Sequence, residues 1–169
     1  MSIFHNLPAF PKLSIIELPA LELAGLKVRT SMPRAPHDCP ALWESFGPRM
    51  FELSDKDTCI GFQGETYGAS VMVDMEKGSF DYWATMPVTP GEALPQGMER
   101  LGVPAGLYAA CSIPSLEELG AAYNYIYLEW LPGQSDYTLN MASPCFEHYD
   151  RRYLENGALD VLVPLLKKA

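Results

Sequence analysis

The chain has 169 residues, 48% of them hydrophobic and 20% charged, which excludes an intrinsically disordered protein and allows one buried core. A formal net charge of -9 disfavours direct binding to nucleic acid phosphates. No segment approaches the roughly 20 apolar residues of a membrane span, and no signal-peptide pattern is present. We therefore expect one cytoplasmic domain over residues 1–169, with neither nucleic acid nor a membrane as a direct partner.

The first half of the chain predicts strands around one helix. Three runs of apolar and aromatic residues predict strands: 23–31, 58–65 and 80–88. Residues 38–46 predict a helix, with Asp38 as its N-cap. A loop rich in Pro and Gly, residues 88–104, then joins the two halves.

The second half repeats this order. Its predicted strands are 105–113, 145–150 and 159–166. The clearest helix covers residues 115–130, where Ser115 and Glu118 have the spacing of a capping box and apolar residues recur along one face. Pro132 and Gly133 end it.

The two halves, residues 13–88 and 104–166, share the order strand, helix, strand, strand, and the triplet Ala-Gly-Leu recurs at 24–26 and 105–107. This indicates an internal duplication. Two β-α-β-β units predict an α+β fold, in which an antiparallel sheet carries two helices on one face. The opposite face, or the seam between the halves, is then available to bind a ligand.

The cysteines are Cys39, Cys59, Cys111 and Cys145, and they show no C-x-x-C spacing. In a cytoplasmic protein this pattern is typical of reduced thiols that pack as small hydrophobic groups. We therefore expect no metal site and no cofactor.

One carboxylate lies within an otherwise apolar strand. Side chains alternate between faces along a strand, so Cys145, Glu147 and Tyr149 share one side of it. A Glu with such neighbours lies on the solvated side of an edge strand, or it is held in an apolar place for a purpose. The residues by themselves leave both alternatives open.

Several motifs resemble the family of GyrI-like domains, the effector-binding domains also found in AraC-type regulators. They are Trp130-Leu131-Pro132, the set Pro144, Phe146, Glu147 and Tyr149, the pair Tyr67-Gly68, and the run DYWATMPV. The resemblance covers residues 13–166 and implies a stand-alone member with a duplicated fold around a small-molecule pocket. Thr85 and residues 111–114 depart from the family pattern, which leaves the shape of the pocket open.

The resemblance implies that Glu147 is the pocket carboxylate and faces a cavity lined by aromatic rings. Such a group favours cationic or aromatic ligands, because a buried carboxylate lacks a counter-charge and ring faces attract cations. Tyr149 shares its face and is the next candidate. Further candidates for ligand contact are Tyr82, Tyr127, Trp130, Tyr67 and Tyr108. For Tyr127 and Trp130, packing of the helix on the sheet is the alternative.

Three functions fit these features. The first is a domain related to transcription regulation that binds cationic or amphipathic aromatic small molecules, with Glu147 as the counter-charge. The second is a hydrolase of strained, cyclopropane-containing electrophiles, in which Glu147 acts as a general acid or base. The third is an interaction protein that inhibits gyrase through its acidic surface.

Overall fold

Residues 13–53 and 65–169 are described by the structure, a computed structural model, and their elements follow in two similar series. The first series is β1 (Ser14–Leu18), β2 (Leu21–Ser31), α1 (Ala35–Phe46), β3 (Thr66–Asp74) and β4 (Ser79–Pro87). The second is β5 (Glu99–Val103), β6 (Gly106–Ile113), α2 (Leu119–Asn124), β7 (Tyr137–Leu139), β8 (Cys145–Tyr149), α3 (Arg151–Asn156) and β9 (Leu159–Lys167). The predicted β-α-β-β unit is therefore present twice, as β2-α1-β3-β4 and as β6-α2-β8-β9.

The described strands form one antiparallel sheet in the order β1-β6-β9-β8-β3-β4-β2-β5, and β7 also pairs with β9. The two halves meet where β3 pairs with β8, and at this seam Gly68 lies opposite Glu147. The α+β prediction with an antiparallel sheet is confirmed.

Two short links force the sheet to curl. Residues 19–20 join β1 to β2, and residues 104–105 join β5 to β6, although each link connects strands six places apart in the sheet. Strands six places apart in a flat sheet would be separated by about 29 Å, whereas a two-residue link spans only about 11 Å. The sheet therefore bends until its two ends approach each other.

The curl gives the sheet an inner face and an outer face. A buried cluster on the inner face joins strands from both ends of the sheet: Leu23, Tyr67, Ala69, Trp83, Val103, Tyr108, Phe146 and Leu162. On the outer face, α1 covers a cluster in the first half that includes Phe46 and Met86. In the second half, α2 and the turn after it cover a cluster that includes Ile126 and Val163. Both helices lie on one face, as predicted.

The helices differ from the predicted ones in where they begin and how they continue. The first helix begins at Ala35, three residues before Asp38, because Pro36 is well suited to the first turn. Asp38 accepts a hydrogen bond from Thr30 and caps nothing. In the second half, a 3-10 turn (Leu116–Glu118) precedes α2, and a π-helical segment (Tyr125–Trp130) follows it. Ser115 makes no side-chain capping hydrogen bond, so the prediction of a capping box is wrong.

Sequence patterns missed several elements. The strands β1, β3, β5 and β7 and the helix α3 were not predicted, and β5 lies within the segment that was predicted as a loop. The predicted strand over residues 58–65 lies outside the described residues, apart from Glu65. No helix in the described part of the chain is both long enough and apolar enough to cross a membrane.

The close pairing of β2 with β4 generates a first prediction. A Cβ on Gly25 would overlap the carbonyl oxygen of Ala84, so Gly25→Ala must push the two strands apart. We expect a loss of about 3 kcal/mol in the free energy of unfolding, measured by urea denaturation.

Gly102→Ala is the matched control, because Gly102 lies in the neighbouring strand β5 and a Cβ there meets nothing within 4 Å. A loss in Gly25→Ala no larger than that in Gly102→Ala would contradict the packing described for β2 and β4.

Candidate functional site

Glu147 lies at the centre of the sheet and is buried. It occupies β8 at the seam, and only 4% of its surface is exposed. Its side chain is on the outer face, where contacts from both α1 and α2 converge. The sequence left open a solvated edge position for this carboxylate; the structure excludes it.

Both carboxylate oxygens of Glu147 accept hydrogen bonds from tyrosine hydroxyls. Tyr82 on β4 donates to Oε1 at 3.0 Å, and Tyr123 on α2 donates to Oε2 at 2.9 Å. Within the described part of the chain, no ion pair involves Glu147. The carboxylate is thus stabilised by neutral donors and has no protein counter-charge among these residues.

Gly68 makes the bond from Tyr82 possible. Strand β3 lies between β4 and β8, so the Tyr82 side chain must cross it to reach Glu147. A Cβ on Gly68 would overlap the Tyr82 hydroxyl and lie 3.0 Å from Oε1 of Glu147. Only glycine leaves this crossing open.

Helix α1 contributes a tryptophan to the same network. The indole Nε1 of Trp43 donates to the hydroxyl oxygen of Tyr82 at 3.0 Å. Its ring packs edge-on against Tyr149, with 5.7 Å between ring centroids, and Tyr149 packs in the same way against Tyr153 at 5.0 Å. A wall of aromatic rings therefore extends from α1 along the side of Glu147.

The second wall comes from α2 and the π-helical segment. Tyr123 and Tyr127 stack at 6.1 Å with 20° between their planes. Single π-helical turns are frequent at functional sites, because they change the direction of side chains within a helix. Tyr123, Tyr127, Trp43 and Tyr149 are all partly exposed, so these walls reach solvent while Glu147 does not.

Burial changes the charge state of Glu147. Desolvation raises the pKa of its carboxyl to about 7, although hydrogen bonding from Tyr123, Tyr82 and Tyr149 favours the charged form. Burial also raises the pKa values of Tyr82 and Tyr123, so both hydroxyls remain protonated donors. At neutral pH the carboxyl is therefore ionised, and the site negatively charged, part of the time.

The structure brings some of the predicted site residues together and separates others. Tyr82 bonds to Glu147, Tyr149 shares its strand and face, and Tyr127 stacks on its partner Tyr123. Trp130 packs on the apolar cluster under α2. Tyr67 and Tyr108 lie on the inner face of the sheet, away from Glu147.

Three residues of the site were not predicted for it. Tyr123 and Trp43 were not among the predicted ligand contacts, and Gly68 appeared only in a family motif. The spacing of Tyr123 four residues before Tyr127 places both on one helix face, and this was an available signal. The roles of Trp43 and Gly68 depend on the order of the strands.

A second polar cluster lies around Asp160, on β9. His148, Asp150 and Asp160 each place one potential metal-ligating atom within 4.8 Å of the others. Arg152 bonds both aspartates, and the two ring nitrogens of His148 contact Asp160 and Glu65, each at 3.3 Å. Burial opposes charge on Asp160, but its bonds to His148 and Arg152 hold its pKa well below the usual range. Arg152 already pairs with both aspartates, as in a structural ion-pair network.

Comparison with known proteins gives matches along almost the whole chain. The Cass2 family model, described as integron-associated effector binding protein, matches residues 14–165. The transcriptional regulator BrlR of Pseudomonas aeruginosa is 29% identical over 156 residues, which cover 89% of this chain and 54% of that protein. The chain therefore spans about half the length of this curated relative.

Solved structures share the fold. An integron cassette protein from the mobile metagenome of Vibrio cholerae is 17% identical, with a TM-score of 0.64 over 91% of this chain and 95% of that one. SAV2435, solved bound to tetraphenylphosphonium, is 12% identical, with a TM-score of 0.65 over 92% and 94% of the two chains. The C-terminal domain of EcmrR is 11% identical, with a TM-score of 0.67 over 93% of this chain and 98% of that one. At these identities the likeness establishes the fold.

The raised pKa of Glu147 predicts how stability changes with pH. Between pH 4.5 and 7 the folded state holds a proton that the unfolded state has released, so the contribution of Glu147 to stability falls as pH rises through this range. Glu147→Gln cannot ionise at this position and lacks this pH-dependent contribution to stability. We expect its free energy of unfolding, relative to the wild type, to rise by on the order of 3 kcal/mol from pH 4.5 to pH 8.

Urea denaturation of both proteins at several pH values measures this difference, and groups such as His148 that titrate in both proteins cancel in it. A difference that does not change with pH would mean that Glu147 has an ordinary pKa.

Proposed function

Because the chain belongs to the Cass2 family of integron-associated effector binding proteins, a match that confirms the GyrI-like resemblance of its sequence, we propose that it binds lipophilic aromatic cations at Glu147. The carboxylate acts as counter-charge to the ligand, and the rings from α1, α2 and β8 contact its apolar parts.

The observation that carries this proposal is a buried carboxylate without a protein counter-charge. Keeping an ionised carboxyl away from water is costly, and the cost is recovered when a cation arrives beside it. Two neutral hydroxyl bonds reduce this cost without cancelling the negative charge. The site therefore has an electrostatic reason to favour a positive ligand over a neutral one.

The hydrogen bonds of Glu147 also favour a particular kind of cation. Each oxygen already accepts one hydroxyl proton, so a primary ammonium with three N–H donors finds few free acceptors. A quaternary ammonium or phosphonium needs no hydrogen bonds. Contact with ring faces contributes about 0.5 to 2 kcal/mol for each cation–π pair, in addition to apolar burial. Tetraphenylphosphonium, the ligand of SAV2435, belongs to this class.

The relation to a transcriptional regulator indicates what the binding is for. BrlR is about twice as long as the segment that matches this chain. We infer that this chain supplies the ligand-sensing function, and that a DNA-binding domain or partner would deliver any transcriptional response. The formal charge of -9 makes direct contact of this chain with DNA unfavourable.

Calorimetric titration with tetraphenylphosphonium tests the proposal. We expect the wild-type protein to bind the cation at pH 8, and Glu147→Gln to bind it at least about ten-fold more weakly, since a tenfold change is about 1.4 kcal/mol. Glu99→Gln is the matched control, because Glu99 is an exposed carboxylate that pairs with Lys27 far from the site. Equal affinities in the wild type and Glu147→Gln would contradict the proposal.

A hydrolase is the second candidate, and the charge state of Glu147 favours it. A carboxyl with a pKa of about 7, within 3.0 Å of a tyrosine hydroxyl, has the properties of a general acid or base at neutral pH. Its substrate would be a strained, cyclopropane-containing electrophile that is opened by water.

Mass spectrometry after incubation with such a compound separates binding from hydrolysis. A hydrolase predicts a product one water heavier with the wild-type protein and at least about 100-fold slower formation with Glu147→Gln. Unchanged compound in both incubations would eliminate the enzyme.

A further inference from the structure

Trp43, Tyr82 and Glu147 form a directed series of hydrogen bonds that begins on α1, and we call this series the relay. Trp43 Nε1 donates to the hydroxyl of Tyr82 at 3.0 Å, and that hydroxyl donates to Glu147 Oε1 at 3.0 Å. An indole N–H can only donate, and a tyrosine hydroxyl has a single proton. With Trp43 donating to its oxygen, the Tyr82 proton is free to point at the carboxylate.

We propose that Trp43 is a positioning residue which, through Tyr82, increases the ionised fraction of the Glu147 carboxylate near neutral pH and so its readiness for a cation. The part of this proposal that concerns the cation rests on the proposed function, whereas the part that concerns ionisation does not.

The physical reason lies in the protonated form of Glu147. A proton on Oε1 would face the proton of Tyr82, and Tyr82 could accept it only by turning its own proton away while still bonded to Trp43. Tyr123, which faces Oε2, receives no such indole bond, so protonation of Oε1 is disfavoured relative to protonation of Oε2. Restricting the neutral form in this way favours the ionised form, because bonds that only the charged state can complete lower a pKa.

The relay depends on the place where the Tyr82 side chain crosses β3 at Gly68. Tyr82 and Glu147 lie on strands that are not neighbours, and the bond between them passes over β3 where a side chain would block it. The Trp43 indole is held in turn by edge-on packing against Phe46 and Tyr149, with ring centroids 5.9 and 5.7 Å apart. The Trp43 end of the relay is thus fixed by packing as well as by its hydrogen bond.

The titratable groups that face Glu147 remain neutral while it titrates. Burial raises the pKa of every one of them: Tyr82 on β4, Tyr123 on α2, Cys39 on α1, and Cys145 and Tyr149 on its own strand. His148 is adjacent in sequence, but its ring lies on the inner face against Tyr67. A change near pH 7 on the outer face of the seam therefore reports Glu147.

Nuclear magnetic resonance of the ligand-free wild type tests the relay without any cation. We expect the Glu147 side-chain carboxyl carbon and the Trp43 indole proton to titrate with the same midpoint between pH 5.5 and 9. The Trp83 indole, which lies on the inner face, is the internal reference and should not follow it. In Glu147→Gln the Trp43 indole should no longer titrate. A Trp43 indole that ignores Glu147 would overturn the proposal.

Trp43→Phe then measures the size of the effect, with Trp83→Phe as the matched control. We expect the midpoint of Glu147 to rise by about 0.3 to 1 unit in Trp43→Phe and to stay constant in Trp83→Phe. The loss of tetraphenylphosphonium affinity in Trp43→Phe, relative to the wild type, should be about two- to ten-fold larger at pH 6 than at pH 9, where Glu147 is ionised in both proteins and only the direct ring contact differs.

The outcomes separate the two proposals. An unchanged midpoint in folded Trp43→Phe overturns the relay, whatever the ligand result. A raised midpoint in a protein that binds no tetraphenylphosphonium at any pH supports the relay and counts against the proposed function. If Trp43→Phe does not fold, the wild-type titration of the Trp43 indole decides.

Discussion

The site depends on one interaction: a buried carboxylate held by hydroxyl groups in place of a cation. Two of these hydroxyls come from Tyr82 and Tyr123, on different halves of the duplicated chain. A lysine or arginine in either position would neutralise the charge permanently and leave nothing to attract a ligand. Hydroxyl donors stabilise the anion enough to keep it in the fold, and they leave its charge available.

The curled sheet explains why the site is located at the seam. Because the inner face closes on itself around Tyr108 and Phe146, it is occupied by side chains from both ends of the sheet. The outer face is covered separately in each half, by α1 over one cluster and by α2 over the other. The boundary between these two coverings runs along β3 and β8, and Glu147 lies on it.

Much of this arrangement could be predicted from the sequence, because it follows from local periodicity. The alternation along β8 places Glu147 and Tyr149 on one face, and the same rule separates Tyr82 from Trp83. Alternation within one strand does not show which residues of a distant strand lie on the same face of the sheet. Tyr67 and Tyr108 were therefore predicted to lie beside Glu147, although they are on the opposite face. The crossing at Gly68 and the reach of Trp43 depend on sheet order, which local patterns do not contain. The π-helical segment likewise has no distinct spacing in sequence.

The two-residue links at 19–20 and 104–105 have a consequence for how the duplicated halves hold together. Strand β1 belongs to the first half along the chain yet pairs with β6 of the second, and β5 belongs to the second half yet pairs with β2 of the first. The first strand of each half thus pairs with a strand of the other half, as exchanged strands do in a domain-swapped dimer. Neither repeat therefore completes its part of the sheet without a strand from the other, and a single repeat with this architecture would need a second copy of itself to close the sheet.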